Sequence, residues 1–190
     1  MRHALVCFAQ FGYEATTYRM IAEGTGLTPA AIQHHFDQKK DLMFAIHQRV
    51  VDRFLGPMTD ASRNDAPCAV RVQRLLVTLH SLIASDREVV AFGLVAREET
   101  RRFAELRGLT DDSDARFARL LDDIAAEAVY EGGLRAEDEG RLAGALAVAL
   151  LGLASVASDS PQRAHLEVTN TCSRLFASLI NQANSLRGIP

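Results

Sequence analysis

A stretch near the N-terminus, from Thr28 to Lys39, carries several hydrogen-bonding side chains. Gln33 and His34 offer donors and acceptors that suit base edges, and Lys39 offers a positive charge that suits a phosphate. His34 and His35 are adjacent, so on a helix they do not face each other and make a poor metal site. Taken alone, the two histidines are more typical of a solvated helix end. Whether these side chains bind a partner or are simply solvated depends on the elements that surround them.

Patterns typical of catalytic sites are absent from the sequence. It has no Gly-Lys-Ser/Thr phosphate loop, no Gly-x-Ser-x-Gly elbow, no His-Glu-x-x-His pair and no dinucleotide fingerprint. The acidic runs Asp122-Asp123 and Glu137-Asp138-Glu139 are typical of solvated faces. We therefore expect no enzyme, no catalytic residues, no cofactor and no metal site.

Composition and periodicity predict an all-α protein. Of the 190 residues, 48% are hydrophobic and 24% are charged, as in soluble globular proteins. Apolar residues recur at helical spacing and nowhere alternate long enough for a strand, so we predict nine helices. Thr28 followed by Pro29 marks the start of the third helix. Asp37 is expected to cap the fourth helix, Gly56-Pro57 to end it, and Ser85-x-x-Glu88 to open the sixth as a capping box.

Cysteine usage and the longest apolar stretch predict a cytoplasmic protein without a membrane partner. Cys7, Cys68 and Cys172 have no Cys or His at metal-ligand spacing, so we predict reduced thiols packed as small hydrophobes. The uncharged stretch 142–158 is shorter than the roughly 20 apolar residues of a membrane span and favours a buried helix. The first ten residues lack the continuous apolar run of a secretory signal.

Two short helices joined by a tight turn are predicted around the polar stretch. Ala22 is small where a second helix must cross closely, and Gly26 is free to adopt a positive φ in the turn. Leu27 and Ile32 are expected to cover a small core that Phe8 closes. Such a pair can present its second helix to the major groove of DNA.

Three motifs here resemble the DNA-binding domain of the TetR family of regulators. They are Phe-Ala-x-x-Gly-Tyr-x-x-Thr at 8–16, Ile-Ala-x-x-x-Gly-Leu-Thr at 21–28 and His-Phe-x-x-Lys-x-x-Leu at 35–42. The remainder is similar to the family only in architecture, with Gly133-Leu134-Arg135 leading into the penultimate helix. The resemblance implies an N-terminal three-helix helix-turn-helix domain at 1–42. A C-terminal helical domain for ligand binding and dimerisation would then occupy 43–190.

Two departures from the family pattern bear on DNA binding. Gln33 stands where the family usually has Tyr, and it can either donate to a phosphate or pair with adenine. The resemblance also implies that the chain begins late in the first helix, without the basic arm of many relatives. Residues 1–55 hold six Lys and Arg against five Asp and Glu, an asymmetry too weak to predict nucleic-acid binding by itself.

The resemblance implies which side chains contact DNA. Phosphates would be held at the starts of helices two and four, and base edges would be read from the third helix. The expected contacts are Thr17, Tyr18, Arg19, Thr28, Pro29, Ala30, Ala31, Gln33, His34, His35 and Lys39.

The last two helices are expected to form a homodimer. Small residues on helix eight and a stripe along helix nine would let two helices from each chain make a four-helix interface. An internal core without a dimer is the alternative. The predicted interface residues are Gly144, Ala145, Ala149, Gly152, Leu166, Thr169, Cys172, Phe176, Leu179 and Ala183.

A largely apolar effector cavity is expected among helices four to eight. Each candidate is individually more typical of plain core, and nothing in the sequence names the ligand. The candidates are Phe54, Leu75, Leu79, His80, Phe92, Val95, Phe103, Phe117 and Leu121.

By resemblance, then, the chain is a ligand-responsive transcriptional regulator. Repression is the family's usual output: a homodimer binds double-stranded operator DNA and a small-molecule effector releases it. One alternative is a module of the same fold that has lost specific DNA binding. Another, a non-specific architectural DNA protein, would require a much more basic surface.

Overall fold

The computed structural model describes residues 1–63, 66–157 and 161–186, with side chains as far as residue 181. Over these ranges the chain forms nine α-helices, two short 3-10 turns and no strand, which confirms the all-α prediction. The helices are α1 (Arg2–Ala15), α2 (Tyr18–Glu23), α3 (Pro29–His35), α4 (Lys39–Ser62), α5 (Cys68–Ser85), α6 (Arg87–Arg102), α7 (Asp111–Tyr130), α8 (Glu139–Val156) and α9 (Gln162–Leu186).

The chain folds as two compact units, and neither is continuous in sequence. The first contains Met1–Arg53 and Asp86–Ser113, and the second contains Phe54–Ser85 and Asp114–Pro190. This division differs from the predicted boundary after residue 42, because the start of α4 and all of α6 belong with the helix-turn-helix.

Within the first unit, α6 packs along α1. Phe8 of α1 is fully buried, and its ring lies 6.4 Å from that of Phe92. The carboxylate of Asp86 caps α6 by accepting from the Val89 amide, and it pairs with Arg2 and, at 3.1 Å, with Arg53. Asp86, one residue after the predicted Ser85, is therefore the N-cap of α6.

Both ends of α4 differ from the sequence prediction. The helix begins at Lys39, and the Asp41 carboxylate accepts from the Gln38 amide, so Asp37 is not its cap. At the other end α4 continues through Pro57 to Ser62. A proline inside a helix costs about 3 kcal/mol. Burying Leu55 and Met58 on either side offsets that cost, since each buried side chain contributes roughly 1.5–3 kcal/mol.

Within the second unit, α5 packs mainly against α9, and α8 contacts both. The buried stripe of α9 is His165, Thr169, Ser173, Phe176 and Ile180. The hydroxyls of Thr169 and Ser173 donate to the carbonyls four residues earlier in the same helix, at 2.8 and 2.9 Å, so the polar members are satisfied locally.

The predicted buried helix at 142–158 is largely α8, but most of it is not covered by its own chain. Among the residues described, Ala136–Val156 is the one helical stretch with the length and composition of a membrane span, and 28% of its most apolar part is buried. Val148 is 74% exposed, and Leu151 and Val156 are also exposed. A substantial apolar surface of α8 thus faces outward.

Candidate nucleic-acid interface

Two threonines start the helices of the helix-turn-helix. The Thr17 hydroxyl oxygen accepts from the Met20 amide at the start of α2, and the Thr28 oxygen accepts from the Ala31 amide at the start of α3. Each cap satisfies an amide that would otherwise lack a partner. Gly26 in the connecting turn has φ 70°, which confirms the predicted positive φ. These caps leave each threonine hydroxyl hydrogen available to an outside acceptor.

Helix α3 is held by a single buried side chain. Ile32 is the only buried residue of its seven, Ala31 is half-buried, and the remaining five are exposed. Leu27, expected in the small core, is 54% exposed, because the preceding turn carries it to the surface. The exposed members, with the cap Thr28, are Pro29, Ala30, Gln33, His34 and His35. The expected base readers therefore share one protruding element.

Tyr18 and Arg19 differ in how free they are to reach a phosphate. The Tyr18 hydroxyl donates to the carbonyl of Phe36 at 2.9 Å and so ties α2 to the end of α3. Burial, followed by the charges of Asp41 and Asp37, raises the pKa of Tyr18. Arg19 is well exposed, with its Nε 3.4 Å from the carboxylate of Glu23 one turn on. Tyr18 therefore has a structural partner, whereas Arg19 lies at the surface.

Lys39 is held by backbone carbonyls at the end of α1. Its Nζ donates to Glu14 O at 3.0 Å and to Thr16 O at 2.9 Å. The same ammonium lies 4.6 Å from the ring centroid of Tyr13, a cation–π contact. Burial is the main cause that lowers the pKa of Lys39, and the surrounding acids Glu105, Glu14 and Glu99 oppose it. The sequence analysis predicted a phosphate contact for Lys39, but it did not indicate these carbonyl and aromatic partners within the protein.

Tyr13 connects Lys39 to the end of α6. Its ring is buried and packs against Phe103 at 5.5 Å and Phe8 at 6.2 Å. Burial and then a hydrogen bond with the Glu105 carboxylate raise the pKa of the Tyr13 hydroxyl. Gly12 beside it has φ 75°, a left-handed conformation that suits glycine and interrupts the helical geometry of α1. The predicted stop at Gly12 is thus a kink, after which one more turn runs to Ala15.

The nine candidate effector residues do not gather in one unit. Phe92 and Phe103 pack against α1 in the first unit, where Phe92 faces Phe8 and Phe103 faces Tyr13, so their rings belong to that unit's core. Val95 is in the same unit and half-buried. The others, in the second unit, are Phe54, Leu75, Leu79, His80, Phe117 and Leu121, of which the first and fifth are half-buried and the rest buried.

His80 has a defined partner inside the second unit. Its Nδ1 lies 2.6 Å from Nδ1 of His165, and the Nε2 of His165 is 2.9 Å from the Leu153 carbonyl. A carbonyl only accepts, so the neutral His165 carries its proton on Nε2, and its Nδ1 accepts from the Nδ1–H of His80. Both rings are buried. His80 therefore joins α5 to α9 as a hydrogen-bonded core residue, which was the alternative to a ligand contact.

The predicted interface residues fall into three groups. Thr169 and Phe176 are buried inside their own chain, so neither can lie on an exposed face. The side chain of Ala183 lies outside the described residues. The remaining seven are exposed or half-buried: Gly144, Ala145, Ala149, Gly152, Leu166, Cys172 and Leu179.

Large apolar side chains that the sequence analysis missed lie on the same two helices. Leu175 is 60% exposed, and Val168 of α9 is exposed as well, together with the residues of α8 noted above. A signal for them existed, because Val168, Leu175 and Leu179 recur at seven and four residues, one helical face of their own.

No cluster of three or more potential metal ligands occurs among the residues described. Cys7 and Cys68 are buried and Cys172 is half-buried, and all three are free thiols. Burial raises the pKa of Cys68 to about 11, with a smaller effect from the nearby Glu131 carboxylate. These thiols are accordingly packed as small side chains.

Comparison with known proteins agrees with this geometry. Residues 1–46 match the family model for bacterial regulatory proteins of the tetR family. The transcriptional repressor KstR2 of Rhodococcus jostii is 25% identical over 146 residues, which cover 74% of this chain and 68% of that protein.

Two solved structures share the fold over almost the whole chain. PfmR, a TetR family regulator of Thermus thermophilus, aligns with a TM-score of 0.77 at 23% identity and covers 92% of this chain and 94% of its own. AibR, solved with isovaleryl coenzyme A and operator DNA, aligns with a TM-score of 0.74 at 18% identity and covers 92% and 96%.

A capped, protruding helix-turn-helix followed by a larger helical part defines a transcriptional regulator rather than an enzyme. The particular likeness is to the tetR family: its model matches residues 1–46, and the fold of the whole chain is shared with regulators of that family.

Proposed function

We propose that this protein is a ligand-responsive repressor that binds operator DNA as a homodimer. The observation that carries the proposal is α3, a short helix that buries only Ile32 and presents five exposed residues behind the Thr28 cap. Proteins of this architecture place such a helix in the major groove with its N-terminal residues at base edges. The likeness to the repressor KstR2 supports the direction of regulation.

The exposed residues divide the work of binding. Gln33 and His34 carry the hydrogen-bonding groups that can read base edges, while Ala30 offers a methyl contact to thymine. Thr17 and Lys39 bring a hydroxyl and an ammonium to the backbone, with the amides at the helix starts adding to the attraction. Phosphate contacts then set the register, and α3 sets the sequence preference.

The exposed apolar surfaces of α8 and α9 support the homodimer. A lone soluble chain seldom leaves so much aliphatic surface uncovered. Beyond the adjacent backbone of α8, a Cβ built on Gly144 or Gly152 would meet none of the described atoms within 4 Å, so these positions leave room for the close approach of a second copy. Two copies would supply the two recognition helices that half-sites about 34–36 Å apart require.

An effector would act by changing the population of DNA-competent dimers. AibR, of the same fold, is known with both an acyl coenzyme A and operator DNA, and a small, largely apolar molecule is our expected class of effector here. A ligand that prefers a dimer shape poorly matched to successive major grooves would lower operator affinity. Such a regulator would work in the cytoplasm, beside the DNA it controls.

Fluorescence anisotropy on labelled DNA tests this function. DNA from upstream of the protein's own gene and a scrambled duplex would be titrated across a salt series. We expect tight binding to the first that weakens steeply with salt and a clear preference over the second. Equal binding to both duplexes at every salt concentration would instead support the alternative, a module of this fold without specific DNA binding.

A further inference from the structure

Lys39 keeps one donor for DNA while it is held by the protein. Its ammonium has three N–H groups, and two of them donate to Glu14 O and Thr16 O. Within the described part of the chain no third acceptor takes the remaining one. A phosphate oxygen can therefore bind Lys39 without releasing it from α1. The position of that contact is then set by whatever fixes the ammonium.

One side of the ammonium is fixed by the Tyr13 ring, and Tyr13 is fixed by the end of α6. Phe103 packs on the ring, with the two ring centroids 5.5 Å apart. The position of the Tyr13 ring is thus coupled to the residue that ends α6. A displacement of Phe103 relative to α1 would move the aromatic face on which Lys39 rests.

The end of α6 also brings negative charge toward Lys39. Glu99 is 5% exposed, and its Oε2 has no hydrogen-bond partner among the described residues. Its Oε1 lies 3.4 Å from Arg102, and 2.8 Å from where a Cβ on Gly12 would be. The charges of Glu105 and Glu99 oppose the lowering of the Lys39 pKa by burial, so this ammonium lies in an acidic surrounding.

We propose that Tyr13 is a positioning residue for DNA binding, which links the end of α6, through Phe103, to the phosphate-contacting ammonium of Lys39. The proposal rests on the function proposed above and adds which side chain sets the position of its phosphate contact within the first unit.

A double-mutant cycle tests the link. Tyr13→Leu removes the aromatic face, Lys39→Ala removes the ammonium, and the operator Kd and its salt slope would be measured for both and for the combination. We expect Tyr13→Leu to weaken binding by about three- to tenfold, the range of a partly desolvated cation–π contact. The double variant should bind no more weakly than Lys39→Ala alone, because Tyr13 acts through Lys39.

A conservative variant separates positioning from folding. Tyr13→Phe keeps the ring and should retain the wild-type operator Kd and salt slope even if Tyr13→Leu fails to fold.

Strictly additive losses in the cycle, or a loss of affinity in Tyr13→Phe as large as that in Tyr13→Leu, would overturn the link. Both outcomes can be judged only if the wild type binds its operator selectively. A wild type without selective binding would overturn the proposed function itself, so the two failures are distinguishable.

Discussion

Lys39 is held by contacts within the folded chain and is also a proposed phosphate contact. Its carbonyl partners are 23 and 25 residues away in sequence, so no local pattern could reveal them, although the motif at 35–42 correctly predicted the start of a helix there. The motif implies what the family uses a residue for. It is silent about the long-range contacts that hold that residue in place.

Replacing Lys39 by Ala should weaken binding to every DNA sequence and reduce the salt slope by about one unit, because one phosphate contact is lost. The same change leaves the carbonyls of Glu14 and Thr16 without their donor, so a small loss of thermal stability should accompany it. Anisotropy titrations between low and moderate salt measure the slope. An unchanged salt slope would show that Lys39 does not contact a phosphate.

Gln33→Ala should behave differently from the lysine variant. Gln33 is exposed on α3, so its loss should leave stability unchanged and alter the preferred sequence at one or two base pairs, by roughly 1–3 kcal/mol per pair. Selection of binding sites from a random library, done in parallel for both proteins, measures this. Identical selected sequences would assign Gln33 to the backbone instead.

The His80–His165 pair predicts a stability that depends on pH. Burial, and then the neighbouring His165, lower the pKa of His80 below its ordinary value of 6.5. The unfolded chain therefore binds a proton more readily, and the stability present above pH 6.5 is lost as the pH falls through the lower, folded pKa. Denaturant unfolding at pH 7.5 and 5.5 should show a smaller drop for His80→Gln than for wild type. The exposed His34→Gln serves as control, and an equal drop in all three would refute the assignment.

At the scale of elements, helix type and number were predictable, but the inward face of α9 was not. The sequence analysis placed Thr169 and Phe176 in a stripe for the dimer interface, whereas both belong to the buried face, which runs from His165 through Thr169 and Ser173 to Phe176. Polar residues usually indicate the solvent side of a helix. Here the two hydroxyls bond to their own helix and His165 bonds to α5 and α8, so polarity does not report exposure.

Helix ends were predicted well where one residue decides them and poorly where packing does. Thr28 with Pro29 starts α3 as expected, since a cap needs only its own first turn. Gly56-Pro57 does not end α4, because the burial of its neighbours offsets the cost of the proline. That burial depends on the rest of the fold, so the local sequence could not predict it. Asp86, one residue past the expected cap, gains two arginine partners from elements distant in sequence.

Gly133 holds α7 and the following turn against α9. A Cβ there would lie 2.6 Å from the carbonyl oxygen of Ile180, and backbone cannot move aside cheaply. We expect Gly133→Ala to destabilise the protein by about 1–3 kcal/mol, as overpacking does. Gly140→Ala, which meets open space in the first turn of α8, is the matched control. Thermal unfolding should give a clearly lower melting temperature for Gly133→Ala than for Gly140→Ala. Coincident values would show that α9 shifts to accommodate the added methyl group.

At the scale of the whole molecule, the exposed aliphatic side chains of α8 and α9 predict the state of assembly. Leu175→Arg places a charge at the centre of the proposed interface, and burying an unpaired charge is costly. We expect monomers in analytical ultracentrifugation, with helical content unchanged, and weaker operator binding because two recognition helices are no longer joined. Val77→Arg, the same exchange at an exposed position of α5, should remain dimeric. If both variants remained dimeric, the dimer interface would not include Leu175.

The sparse anchoring of α3 has a consequence for how such a regulator acquires new targets. Since Ala30, Gln33 and His34 are exposed, while Ile32 and the hydrogen bond from Tyr18 to Phe36 hold α3 in place, substitutions at these three positions are nearly free of folding cost, as surface changes are in general. Mutation can therefore explore operator sequences without first compensating for lost stability. A duplicated copy of this gene could come to govern a different promoter through a few point changes, while everything outside α3 stayed as it is.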